Sequence, residues 1–163
     1  IYMIGKKGSH LSCSTLEEVY NSESSIDPPE IDLYQEKLNG NAVLELIQEK
    51  IITSCHDISD GGMIVTICEM IMMDEKGATI NIVDNNKMIG ELFGEDQSRY
   101  IITISPKLES IFEKKMKKRG VKYELIGCIT SSQLKINDNI IISSNEIRDA
   151  YESLIPSVMN NMA

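Results

Sequence analysis

Two short blocks hold most of the residue types able to do chemistry. His56-Asp57-Ile58-Ser59-Asp60-Gly61-Gly62 and Leu92-Phe93-Gly94-Glu95-Asp96-Gln97-Ser98-Arg99-Tyr100 each crowd carboxylates, glycines and an imidazole or amide into fewer than ten residues. In the first block a short β-type run, Ile51 to Thr53, leads through a glycine pair into an apolar segment, Met63 to Met73. A strand that turns through glycines into a helix leaves first-turn N–H groups free and aimed outward, which is an anion-binding geometry. Gly61 and Gly62 then allow close approach of a phosphate or carboxylate, and Asp57 and Asp60 can cap the helix, hold a cation or accept from a sugar hydroxyl. The same residues also suit plain packing, with Ser59 or Asp60 as N-cap and the glycines serving tight helix-on-sheet contact. In the second block Glu95, Asp96 and Gln97 sit in a turn between a short apolar segment and a strand, with Arg99 able to pair with either carboxylate. Such a turn can bind magnesium, a hydroxyl-rich ligand or an amide, or it can be a solvated, self-paired loop. His56, at a strand end, reads more simply as a satisfied core residue than as a base.

The elements that must position these blocks follow from periodicity. Ile1 to Ile4 reads as a strand feeding the polar loop Lys6 to Ser14, and Ser14 with Glu17 has capping-box spacing for a helix from Thr15 to Tyr20. The serine-rich stretch Asn21 to Pro29 reads as a surface loop. Asp32 offers an N-cap to a long helix with an apolar stripe of Leu33, Leu38, Ala42, Leu44 and Ile47, interrupted at Asn39-Gly40-Asn41. Ala78 to Val83 and Arg99 to Ile104 read as strands, Met88 to Phe93 as a short amphipathic piece, and Pro106 to Gly120 as a helix. Val121 to Ile129 reads as one strand, Leu134–Ile136 and Ile140–Ile142 as a hairpin, and Ser143 or Ser144 as the start of a last helix that meets Pro156. The mixture implies an α+β fold, layered α/β/α, with helices packed on a mixed sheet.

Bulk properties narrow the functions. A chain of 163 residues, 42% hydrophobic and 25% charged, suits a single domain over residues 1–163. No stretch is long and apolar enough to span a membrane, and Ile1 to Ile4 lacks the flanks of a signal peptide. The first residue is Ile1, so the chain reads as a piece of a longer protein. A net charge of −9 repels nucleic acid and anionic membranes, and the basic run Lys114 to Arg119 reads as a solvated helix face. Cys13, Cys55, Cys68 and Cys128 show neither pairing rhythm nor zinc spacing, which fits a reducing cytoplasm and no metal site.

Taken in order, Gly5 to Ser14 (GKKGSHLSCS), His56 to Met63 (HDISDGGM), Leu92 to Tyr100 (LFGEDQSRY) and the ending IRDAYESLIPSVMNNMA resemble the small-type phosphoribosylformylglycinamidine synthases, the PurL family, over essentially the whole chain. The resemblance implies the C-terminal domain of the second of two tandem units, each like aminoimidazole ribonucleotide synthetase. It also implies a cytoplasmic ATP- and magnesium-dependent ligase that makes an amidine with glutamine-derived ammonia, acting with upstream domains, a PurQ-type glutaminase and PurS. On that resemblance the catalytic histidine and main magnesium carboxylates lie upstream. The auxiliary, nucleotide- or phosphate-facing candidates are Asp57, Asp60, Gly61, Gly62, Glu95, Asp96 and Gln97, none catalytic and none a metal ligand, and the isolated chain is inactive. Ser12 and Ser98 stand where the family carries glycine, which favours a structural role there. The competing expectations are a cousin built on the same unit and a noncatalytic nucleotide- or partner-binding scaffold.

Overall fold

Tyr2, Met3 and Ile4 are apolar at successive positions, the pattern of a strand covered on both faces, and β1 (Tyr2–Ile4) is buried throughout. The computed structural model describes residues 1–20, 27–74, 76–137 and 139–161, and part of the predicted loop from Asn21 to Pro29 lies outside them. The described chain divides into two compact units, residues 1–66 with 82–126, and residues 67–81 with 127–163.

In the first unit β1 pairs with β4 (Tyr100–Ile104) and β5 (Tyr123–Leu125), and β2 (Ile52–Asp57) pairs with β4 at the sheet edge. All three pairings are antiparallel, with Ile4 opposite Tyr100 and Asp57 opposite the same Tyr100. Two helices pack on this sheet, α2 (Leu33–Gln48) and α5 (Glu109–Arg119). Asp32 caps α2 as expected, its carboxylate accepting from the Tyr34 and Gln35 N–H groups. The helix runs unbroken through Asn39-Gly40-Asn41 but turns a different face inward than its leucines suggested. Asn39, Ala42, Val43 and Leu46 are buried, whereas Leu33, Leu44 and Ile47 are exposed. The inner face meets Tyr2, Ile4, Ile102, Phe112 and Met116. Phe112 stands 4.8 Å from the Tyr2 ring and 5.1 Å from that of Tyr123, at tilted and edge-on angles that aromatic quadrupoles favour.

Part of the basic run is structural rather than merely solvated. Lys115 donates to Glu45 and Glu49, each at 2.7 Å, and Arg119 pairs with Glu45, tying α5 to α2. Gly120 ends α5 in the left-handed conformation. Shorter helices complete the unit, α1 (Thr15–Tyr20) and α4 (Met88–Phe93). Ser14 Oγ accepts from the Glu17 N–H, and the Glu17 carboxylate accepts from Cys13, one residue before the expected partner.

The second unit holds a mixed sheet in the order β6-β3-β7-β8, made of β3 (Gly77–Ile80), β6 (Gly127–Thr130), β7 (Gln133–Ile136) and β8 (Ile140–Ser143). β3 and β7 run parallel, the other pairs antiparallel. The predicted strand from Val121 to Ile129 is therefore two strands in two sheets, broken at Ile126, whose N–H donates to Ile1. The hairpin of β7 and β8 forms as read, and Ser143 with Glu146 makes a full capping box for α6 (Ser144–Glu152). Instead of stopping at Pro156, the chain restarts as α7 (Leu154–Asn161), with Pro156 in the first turn, where a missing N–H costs nothing. The division between units falls within α3 (Gly62–Asp74), after Thr66. The α+β class with a mixed sheet thus stands, with the strands distributed over two sheets.

Phe112→Ala is expected to cost about 3–5 kcal/mol in urea unfolding, against under about 0.5 kcal/mol for Leu44→Ala; equal costs would mean that the outer face of α2 is packed after all. Burial foremost, with the nearby charges of Asp57 and Glu69 respectively, pushes the Cys55 and Cys68 thiols up to about 11. The thiolate is the reactive form, so at pH 8 iodoacetamide should label exposed Cys13 and Cys128 well before the other two, read by peptide mass.

Candidate functional site

The two blocks meet because their strands pair. β2 ends at Asp57 opposite the first residue of β4, and the Ile58 N–H carries the ladder one step further to the Arg99 carbonyl. The loop after β1 reaches the same end of the sheet, because Ile4 also faces Tyr100. Three loops therefore converge, Gly5 to Ser14, Ile58 to Gly61 and Gly94 to Arg99.

Two carboxylates knit them together. Glu95 Oε1 accepts from the Gly61 N–H at 2.7 Å and from the Thr15 N–H at 2.8 Å, and the Glu95 N–H donates to the His10 carbonyl at 3.1 Å. Asp96 Oδ2 accepts from the Ser9 and His10 N–H groups at 2.7 and 3.0 Å. Two N–H groups of the glycine turn are occupied from within, Gly61 by Glu95 and Gly62 by the Ser59 carbonyl at 3.0 Å. The acceptor on Gly61 could not be assigned from local sequence, because it comes from a loop 34 residues away. Gly62 is required at its position. Its φ is +70°, and a Cβ there would lie 2.7 Å from the Leu92 carbonyl oxygen.

Arg99 does not pair with a carboxylate side chain, as its neighbourhood in sequence invited. Its guanidinium is 2% exposed and donates to two backbone carbonyls, from Nε to Asp96 at 2.8 Å and from Nη2 to Gly94. Burial lowers its pKa, and the charges of Asp96 and Glu95 oppose that shift. Nη1 faces Gly8, where a Cβ would lie only 2.4 Å away. Asn39, at 2% exposure, donates to both the carbonyl and the hydroxyl of Ser98. Ser98 holds a left-handed φ of +65°, and its hydroxyl accepts from Asn39. Asn39 was readable only as an interruption in a helix; a polar residue at the centre of a predicted apolar stripe is the signal for such a tether.

Beside this joint lies a cleft of about 230 Å3 lined by Glu36, Asp57, Asp60, Glu95, Gln97 and Tyr100 among others. Of the predicted site residues, Asp57, Asp60, Glu95 and Gln97 share it, whereas Gly61, Gly62 and Asp96 do not line it. Glu36, from α2, is the contributor that sequence blocks did not reveal. Burial first, then the Glu36 and Asp57 charges, raises the Tyr100 pKa, so the phenol stays protonated and able to donate. His56, on the edge strand and 36% exposed, is not the core residue expected, and its Nδ1 lies 2.8 Å from the Asp57 carbonyl oxygen. The cleft is rich in acceptors and suits a ligand bearing hydroxyl, amide or cationic groups. Among the described residues no group of three or more ligating side chains could hold a metal ion. No described helix is long and apolar enough to cross a membrane.

A family model described as AIR synthase related protein, C-terminal domain, matches residues 1–138. The chain belongs to that family. Phosphoribosylformylglycinamidine synthase subunit PurL of Brucella ovis is 33% identical over 160 residues, 98% of this chain, and the same protein of Brucella melitensis matches equally. The chain spans only 22% of the length of these relatives. Among solved structures, Thermotoga maritima PurL complexed with FGAR superposes with a TM-score of 0.70 at 14% identity, covering 90% of this chain and 27% of that one. PurLQS from Thermotoga maritima gives 0.65 at 17% identity, over 90% and 25% of the two chains. A HypE–HypF complex gives 0.57 at 16% identity, over 88% and 51%. At those identities the structures share the fold.

Removing the shared acceptor should loosen all three loops. Glu95→Ala is expected to destabilise by about 2 kcal/mol, since it strands the Gly61 and Thr15 donors, and Gln97→Ala by under about 0.5 kcal/mol, because its side chain is exposed. Urea midpoints of the two variants check this, and equal shifts would count against the joint.

Proposed function

We propose that residues 1–163 are one C-terminal domain of a longer cytoplasmic phosphoribosylformylglycinamidine synthase of the PurL type. The carrying observation is the 33% identity to PurL subunits over 98% of the chain. In this reading the whole enzyme is an ATP-dependent carbon–nitrogen ligase of purine biosynthesis. ATP phosphorylates the amide oxygen of formylglycinamide ribonucleotide, and ammonia released from glutamine displaces the phosphate to leave the amidine, ADP and phosphate. Two further similarities support it: Thermotoga maritima PurL, which shares this fold, has been seen with FGAR and with ATP, and also in a PurLQS assembly. A PurQ-type glutaminase, a PurS subunit and upstream domains of the same polypeptide are thus the proposed partners.

Within that enzyme this domain supplies scaffold more than chemistry. Glu95 and Asp96 each commit one carboxylate oxygen to two backbone N–H groups, and among the described residues no group of three or more ligating side chains surrounds them to hold magnesium. No magnesium step is assigned to these residues; the ion in this reading is held by other segments. Asp57, Asp60 and Gln97, with Glu36, form an auxiliary surface able to meet ribose hydroxyls or the amino edge of a base, while Gly61 and Gly62 hold the turn that Glu95 closes.

The full-length polypeptide should release ADP only when formylglycinamide ribonucleotide and ammonium are both present. ADP release indifferent to that nucleotide would refute the ligase reading. Asp60→Ala and Gln97→Ala should lower this turnover less than about tenfold, under about 1.4 kcal/mol of transition-state stabilisation. A loss beyond about a thousandfold would put those residues in the reaction itself.

A further inference from the structure

α7 is amphipathic, yet its apolar face is left exposed by the described residues. Leu154, Ile155, Val158 and Met159 lie on one side of α7, with Ser157 and Asn160 on the other, and Tyr151 near the end of α6 precedes them in the chain. In a packed domain such a face is inward. Here Tyr151 is 64% exposed, Leu154 63%, Ile155 66%, Val158 43% and Met159 67%. Eight residues are also too few for a helix to persist alone in water, where ~12–15 are already marginal, so α7 needs tertiary contact to exist.

Two observations indicate what supplies it. The family model stops at residue 138, before α6 and α7, whereas the similarity to PurL subunits extends over 160 of the 163 residues and so runs through both helices. The tail is therefore part of what this chain shares with PurL subunits beyond the common family domain. The chain also accounts for only 22% of those relatives' length, so most of the surface available to cover α7 lies in the remainder of such a polypeptide. The helix carries no charged residue, which matches an apolar groove and does not match an anionic lipid surface, for which a basic polar face is needed.

We propose that α7 docks by this face into an apolar groove on another domain of the same longer polypeptide, a helix-in-groove contact read by Leu154, Ile155, Val158 and Met159. The proposal rests on the PurL reading, through the length of chain that reading supplies.

Hydrogen exchange of the full-length polypeptide, followed by mass spectrometry over peptides covering residues 151–161, tests it. Amides of α7 should exchange roughly tenfold or more slowly than the free-peptide rate. That protection should be unchanged by tenfold dilution and present without the glutaminase or the small subunit. Ile155→Lys should abolish it, and Asn160→Lys, the same charge on the opposite face, should leave it intact. Free-peptide exchange in the wild type overturns the proposal. Protection that disappears on dilution overturns it in favour of a second copy, and protection that appears only with added subunits overturns it in favour of a partner protein. The readout is independent of turnover. An active ligase with an unprotected α7 refutes the docking alone, and a protected α7 in a polypeptide without ligase activity refutes the PurL reading alone.

Discussion

Burying the Arg99 guanidinium, at 2% exposure, obliges the surrounding backbone to supply oxygen, since an unanswered buried charge costs several kcal/mol. The carbonyls of Asp96 and Gly94 provide it, and to do so residues 94–99 must curl around the planar fork. That curl leaves the Glu95 and Asp96 side chains to reach neighbouring loops, where each accepts two backbone N–H groups. Room for the fork comes from Gly8, where any side chain would collide with Nη1. One cation thus organises three loops without forming a side-chain salt bridge.

The same arrangement divides the acidic residues by task. A carboxylate oxygen already accepting two N–H groups is a poor candidate for a ligand, because the ligand would have to replace both bonds and meet the desolvation cost of the freed donors. Oε1 of Glu95 and Oδ2 of Asp96 fall in that class. Glu36, Asp57 and Asp60 line the cleft from other elements, so recognition there depends on α2 and β2 as much as on the glycine-rich turn. In a chain of net charge −9, a cleft with this lining presents acceptors, which suit donor groups better than anions.

Several local rules were read correctly where partners lie within a turn of each other. Asp32 and Ser143 cap their helices, Gly120 terminates α5, and the β7–β8 hairpin closes where its asparagines fall. Misreadings arose where two solutions satisfy the same local pattern. Helix α2 carries apolar residues on more than one arc, and the predicted stripe mixed Leu38 and Ala42, which meet the core beside Val43 and Leu46, with Leu33, Leu44 and Ile47, which face outward. From Val121 to Ile129 β-type residues are nearly continuous, and periodicity has no term for a chain that leaves one sheet and enters another.

The sequence by itself determined the α+β class, the capped starts of the helices, the family, and the two blocks in which polar residues concentrate, because each depends on residue order or on contacts a few positions apart. Only the tertiary structure decided that Glu95 closes the turn at Gly61, that Arg99 rests on carbonyls rather than carboxylates, that Asn39 tethers Ser98, and that Glu36 joins the cleft. Those outcomes depend on strand pairing between distant segments. Hydrogen-bond donors buried by that pairing must take whichever acceptor the fold brings near, and sequence neighbours do not specify it.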